Sequence, residues 1–468
     1  MSQHFSVTVP KLVEGSAQYR IRYAEPESFL ATLCLDPFEF VMVVPVCAEE
    51  ATFIDGYKTA ASIAGRVLVI VVLNARAASN ESTHRLNEEC FHELTVRFSL
   101  HEFGSGGWFG HDGNISLLVI DRFTTDRYLP LRQGVGLARK IGADIALELI
   151  AAGRVRHPFI AMLDADITLP GNYFQRIATL EPECSAALFP LWHEPSGYGD
   201  ADRATALYEI RLRYYLRGLE WANSPYAFHA LGSIMAVNAL CYAQVRGVPL
   251  RQAGEDFYLL GKLSKLRPVA RLQGEPLLIR SRLSTRVPFG TGSESAKLVR
   301  GKTMDLYHPC CFLAVREVMR TLQYFSKIQL SSQSASSNAN TSKQPALIDI
   351  FPDNAETEKF LSQMSPHVQQ FLEAQGAVKI LKRLQEHAPS GTVPIRRLHE
   401  WFDGFRTLKL IHYVRDHVAP SLPWLDAIDR SPFINDVNDD GSCLREFRTE
   451  LFLLEQTLPR LVGPTLCQ

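Results

Sequence analysis

Apolar and polar positions follow two different periods along this chain. From residue 40 to residue 330, short β-branched runs alternate with stretches of helical spacing, the pattern of an α/β sheet. FEFVMVVPV (38–46) predicts a first buried strand, followed by a helix from near Glu49 to Ala64. VLVIVVLNA (67–75) predicts a second strand and ISLLVIDR (115–122) a third. A helix is expected within 129–153, closed by Gly153. PFIAMLDAD then gives a fourth strand, CSAALFPLW (184–192) a fifth, and residues 202–222 a long amphipathic helix. The glycine-rich FGSGGWFGHDG (103–113) lies between two strands without leading into a helix, so a surface loop is preferred over a phosphate cradle.

Past residue 330 the strand period disappears. LSSQSASSNANTSKQPA (330–346) has no apolar periodicity and predicts a flexible linker. Residues 347–468 show helical periods alone. The expected organisation is an N-terminal extension (1–37), an α/β domain (38–329), the linker (330–346) and a helical C-terminal region (347–468). Within that last region DVNDDGSCLREF (436–447) imitates a calcium loop, but Phe447 stands where a bidentate Glu is required, so a solvated turn is expected.

Composition narrows the function. With 49 Lys and Arg against 50 Asp and Glu, the net charge of −1 offers no footprint for nucleic acid or an anionic membrane. Nine cysteines without paired metal spacing suit a reducing compartment. No signal peptide is legible at the start, and the most apolar run is too short to span a bilayer, so a cytoplasmic protein without a transmembrane segment is expected.

The chemistry centres on FIAMLDADITLP (159–170), in which a strand ends in Asp164 and Asp166. Two carboxylates at i and i+2 suit Mg²⁺ or Mn²⁺ held jointly with a diphosphate, at the sheet edge where ligands of α/β proteins bind. The same residues satisfy the Asp-x-Asp-x-Thr signature of haloacid-dehalogenase-type phosphatases. That fold opens with this strand, however, and here three strands precede it.

Four blocks in order make residues 38–310 resemble family-2-type glycosyltransferases of the GT-A fold. VVPVCAEE supplies Pro45 and Glu49; GVGLARKIGAD resembles a Gly-x-Gly-x-x-Arg segment carrying Arg139 and Lys140; MLDAD matches the aspartate–x–aspartate motif; and residues 232–263 hold a turn glycine, Gly247, and the pair Glu255 and Asp256 before a helix. The resemblance implies a GT-A-type, Rossmann-like mixed sheet flanked by helices. It implies Asp164 and Asp166 on Mg²⁺ or Mn²⁺, and a UDP- or GDP-linked sugar donor near Pro45, Glu49, Asn74, Arg139, Lys140 and Asp164. Asp256, with Glu255 beside it, would be the base of an inverting displacement by an acceptor hydroxyl on a carbohydrate, small molecule or lipid-linked sugar. Arg282 and Arg286, in a basic Gly/Ser/Thr-rich run, could fold onto the pyrophosphate as bidentate cations or remain a solvated loop. The helical C-terminal region could serve self-association or a partner.

Two positions depart from the family pattern: Ala48 where an Asn is usual, and Asn74 where aspartates often close the second strand. They keep open an inactive scaffold of the same fold; a nucleotidyltransferase sharing the nucleotide–metal architecture is a further alternative, although PVCAEE lacks its glycine-rich, lysine-containing first loop.

Overall fold

The computed structural model describes residues 3–251, 254–281, 291–327, 364–387, 394–434 and 444–467. Arg282, Arg286, the 330–346 stretch and most of the calcium-loop imitation lie outside these residues.

The chain divides into two compact units. The first comprises Met1–Thr205, Phe228–Val299 and Leu458–Val462, and it is built on a large mixed sheet flanked by helices. Its strands are β1 (Phe40–Val46), β2 (Val67–Asn74), β3 (His101–Glu102), β4 (Gly107–Asp112), β5 (Ile115–Arg122) and β6 (Phe159–Met162). Further along the chain come β7 (Ile167–Thr168), β8 (Ala186–Leu188), β9 (Leu191–Glu194), β10 (Met235–Asn238), β11 (Val269–Arg271) and β12 (Leu277–Arg280). The ten-stranded sheet runs from Leu461–Val462 through β11, β8, β10, β6, β1, β2, β5 and β4 to β3. Its centre, β6-β1-β2-β5, is parallel, and those strands are almost continuously apolar because helices cover both faces.

Alternation along β1 assigns the faces. Met42, Val44 and Val46 join a core with Phe53 and Tyr57 of the segment leading into and through α2, and with Leu94 of α3. Val43 faces the other side, where Gly142 of α4 sits so close that a Cβ there would come within 2.4 Å of the valine side chain. The unit's helices are α1 (Gln3–Arg22), α2 (Asp55–Ser62), α3 (Glu81–Phe98), α4 (Val135–Ala151) and α5 (Tyr173–Ala178). The division at Thr205 falls inside α6 (Gly199–Trp221); α7 (Ala239–Gln244), α8 (Glu255–Leu266) and α9 (Thr291–Val299) complete the unit.

Two expectations are corrected. CSAALFPLW is not one strand, since it breaks at Phe189–Pro190 into β8 of the large sheet and β9 of a small β7-β12-β9 sheet. The glycine-rich stretch is not a surface loop, since Gly107–Asp112 pairs antiparallel with β5 along its whole length.

The second unit comprises Ala206–Ala227, Arg300–Thr457 and Gly463–Gln468 and is mainly helical. Its helices include α10 (Pro309–Lys327) and, further on, Pro366–Ala374, Gly404–His417 and Leu444–Glu455. Among the described residues no helix is long and apolar enough to cross a membrane.

Candidate functional site

The parallel strands β1, β2 and β5 proceed to one side of β1, whereas β6 returns on the other, so the sheet has a switch point between β1 and β6. Open α/β sheets bind ligands in the crevice outside such a point. Pairing of β6 with β1 covers Val41–Val43 and closes with a Leu163 N–H bond to the Val43 carbonyl at 3.1 Å. Backbone groups alternate sides along a strand, so the missing N–H of Pro45 falls where β6 no longer runs alongside. Proline therefore costs no ladder bond at this central position.

Asp164 and Asp166 lie just beyond this parting. The Asp164 carbonyl accepts the Tyr57 hydroxyl of α2 at 3.2 Å. Burial, and then the charges of Asp166 and Asp164, push the Tyr57 hydroxyl pKa well up. The Asp166 carbonyl accepts the Arg280 N–H at 2.9 Å, fixing the end of β12 against it.

Arg139 joins the separate blocks. From α4 its guanidinium donates to Asp164 Oδ1 and to Glu255 Oε1, each at 2.6 Å. Its side chain is 2% exposed, like the 5% of Glu255, whereas Asp164 is 40% exposed toward the crevice. Burial opposes the Arg139 charge, but the two carboxylates outweigh it and raise its pKa. Glycines make the approach possible. A Cβ on Gly136 would press on the Arg251 and Pro249 carbonyls at 3.3 Å, and one on Gly232 would lie 2.8 Å from the Arg139 guanidinium.

Asp256, in the first turn of α8, accepts N–H bonds from Gly232 at 2.8 Å and from Phe257 at 2.7 Å. Burial, then the adjacent Glu255, push its pKa up to about 6 against the pull of Arg139 and the two N–H donors. A carboxyl with that pKa is suited to accept a proton near neutral pH.

Two residues expected at the donor site are engaged elsewhere. Lys140 turns away from Arg139 and is buried against Asp144 at 2.6 Å, Glu25 at 3.0 Å and the Tyr23 carbonyl at 2.6 Å. Asn74 donates its amide to the Val46 and Val72 carbonyls at 2.9 and 3.0 Å. Its own carbonyl accepts from Asn87, whose side-chain oxygen takes the Ala48 N–H at 2.8 Å. This chain of bonds holds Ala48 at φ 54°, a conformation that asparagine tolerates better than alanine.

Asp164 and Asp166 fit a divalent cation only if other oxygens complete its shell, as phosphates do for Mg²⁺. Among the described residues no group of three or more His, Cys, Asp or Glu is gathered that could hold a metal ion. Beside Asp166 opens a cavity of about 870 Å³ lined by Phe53, Asp166, Glu194, Tyr198, Asp200 and Arg280 among others. Tyr57 carries no motif that sequence reading could have singled out, whereas Gly232 opens the 232–263 block and Arg280 lies in the basic run without having been assigned a role.

No family model matches the chain, and no curated protein matches it significantly. Among solved structures it is similar to a chain titled "Crystal Structure of a Mycobacterial Protein", at 13% identity over 63% of this chain and 80% of that one. With a TM-score of 0.28 that likeness carries no argument about fold or function.

Proposed function

We propose that this chain is a metal-dependent glycosyltransferase whose first unit has the GT-A architecture, moving a sugar from a UDP- or GDP-linked donor to an acceptor hydroxyl. The Arg139 bridge carries the reading: one buried guanidinium draws together Asp164 and Glu255, 25 and 116 residues away, so that three blocks of the resemblance meet at one switch point.

In this reading Asp164 and Asp166 would hold Mg²⁺ or Mn²⁺, which when bound would supply neutralisation of the charge developing on the leaving diphosphate. Arg139 keeps Asp164 in place and balances the buried Glu255. Asp256, anchored by two N–H bonds, takes the proton of the acceptor hydroxyl as its oxygen bonds to the anomeric carbon and the bond to the diphosphate oxygen breaks. That displacement inverts configuration. Pro45 and Glu49 would, on the resemblance, lie beside the donor.

The test is a thermal-shift screen of nucleotide sugars with Mn²⁺, followed by metal-dependent hydrolysis of whichever binds. A rise in melting temperature for UDP- or GDP-sugars, lost in Asp166→Ala, is expected. No response to any nucleotide sugar would instead favour a scaffold that keeps the fold without activity.

A further inference from the structure

Five non-glycine residues have positive φ among the described residues. Ser99 ends α3 in the left-handed conformation that commonly closes a helix, and Asn223 and Arg246 lie just past the ends of α6 and α7. Asp126 is of a residue type that tolerates this region. Neither reason applies to Ala48, which stands at φ 54° two residues beyond the central strand β1 and has no polar side chain to bond its own backbone. By itself an alanine disfavours such a conformation ~5–30-fold.

What opposes that preference is a side chain from another element. Asn87 of α3 is fully buried, in a stripe with Cys90 and Leu94 where helical spacing places apolar side chains. A buried amide is costly unless it is hydrogen-bonded. Here its oxygen accepts the Ala48 N–H at 2.8 Å, and its nitrogen donates to the Asn74 carbonyl at 3.0 Å. Asn74 donates onward to the Val46 and Val72 carbonyls, which anchors the clamp on the ends of β1 and β2. The 47–49 turn that it holds is half-buried and follows the strand that borders the switch point. Backbone strain that surrounding bonds maintain in this way is concentrated at functional sites.

We propose that Asn87 is a positioning residue for nucleoside binding: it holds the 47–49 turn in its left-handed form, and that form receives the nucleoside of the donor. This rests on the glycosyltransferase reading. Asn87 acts through Ala48 and not by touching the ligand. The departure at Ala48 is then compensated from α3, and it is not a mark of lost activity.

The experiment is calorimetric titration of UDP, GDP, uridine and guanosine into the full chain with Mn²⁺. It compares the wild type with Asn87→Ala, Ala48→Val and the double variant Asn87→Ala, Ala48→Gly. Without the clamp only the left-handed fraction of the turn is competent, so the dissociation constant of the preferred nucleoside diphosphate should rise ~5–30-fold in Asn87→Ala. The matching nucleoside should weaken by the same factor. Glycine carries no bias against positive φ, so the double variant should recover most of the affinity. Its melting temperature should stay below that of the wild type, because the hydrogen bonds of Asn87 are still missing. A lower melting temperature in Asn87→Ala with wild-type affinity overturns the inference and leaves the glycosyltransferase reading standing. So does a loss of affinity that Ala48→Gly does not restore, because Asn87 would then not act through the turn. Weakening of the diphosphate alone overturns it as well. Should Asn87→Ala fail to fold, Ala48→Val decides, since a β-branched side chain resists positive φ with Asn87 still in place. Weaker binding by that variant supports the proposal and wild-type affinity overturns it. Failure of the wild type to bind any nucleoside diphosphate overturns both readings.

Discussion

Asp256 receives two N–H bonds that favour its charged form, yet burial and the neighbouring Glu255 outweigh them and bring its pKa up to about 6. A base works deprotonated, so transfer should rise with pH through about 6 and level off above it. Glu255→Gln removes the like charge and leaves Arg139 less neutralised; both effects stabilise ionised Asp256, so the acidic limb of kcat/KM should move to lower pH. A limb that stays in place would exclude Glu255 as the source of the shift. Arg139→Met acts differently, because it leaves Glu255, 4% exposed, without its cation. Breaking such a buried pair from one side costs about 3–5 kcal/mol, measurable by urea unfolding, whereas a loss below about 1 kcal/mol would mean that the bridge is not formed in solution. The motifs brought Arg139, Asp164, Glu255 and Asp256 into view because each sits at a marked spacing. They misplaced Lys140 for a geometric reason: consecutive helical residues point about 100° apart, so only one of the pair can face Asp164.

At the scale of elements, α1 and α4 are joined by a buried polar cluster. Asp144 accepts from Tyr19 at 2.6 Å, Tyr242 at 2.7 Å, Lys140 at 2.6 Å and the Glu25 N–H at 2.8 Å. Burial pushes its pKa up, and Lys140 with these donors pulls it back. Gly247 closes the cluster at φ 69°, where an added Cβ would lie 2.2 Å from the Tyr19 hydroxyl. Gly247→Ala should cost at least about 2 kcal/mol, combining left-handed backbone strain with displacement of that hydroxyl. Tyr19→Phe alone should cost about 1–3 kcal/mol, and the double variant less than the sum, because both act on one hydrogen bond. Strict additivity in a double-mutant cycle would show the two residues to be uncoupled. Strands β1, β2 and β5 were legible because doubly covered parallel strands are written as unbroken apolar runs. The β4 hairpin was not, because its glycines suggest flexibility when they serve close approach. A Cβ on Gly110 would lie 2.2 Å from the Phe98 carbonyl, and one on Gly107 would lie 2.6 Å from that of Phe103.

For the whole molecule, composition and the low-complexity stretch point to a separable α/β domain ending at residue 329, and the structure divides differently. Residues Leu458–Val462 belong to the first unit, where Val269 and Ala270 pair with Val462 and Leu461 and the Arg271 N–H reaches the Arg460 carbonyl. Within the second unit, Arg213 of α6 is 1% exposed and binds Glu209 at 2.5 Å together with Glu455. Beside it Tyr214 packs on Phe312 and Phe433, with ring centroids 5.6 and 5.2 Å apart. Such long-range pairings leave no local signature, since neither Arg213 nor Glu455 is marked by its neighbours in the chain. A chain cut after residue 329 would keep α6 and α10 but lose Glu455, Phe433 and the last strand. Arg213 would then lose the Glu455 carboxylate, and the apolar face around Tyr214 would lose Phe433. Residues 1–329 should therefore expose apolar surface, bind a hydrophobic dye and melt well below the full chain. A truncated protein that stayed monomeric with the melting temperature of the full chain would show that the C-terminal segment contributes nothing to either core.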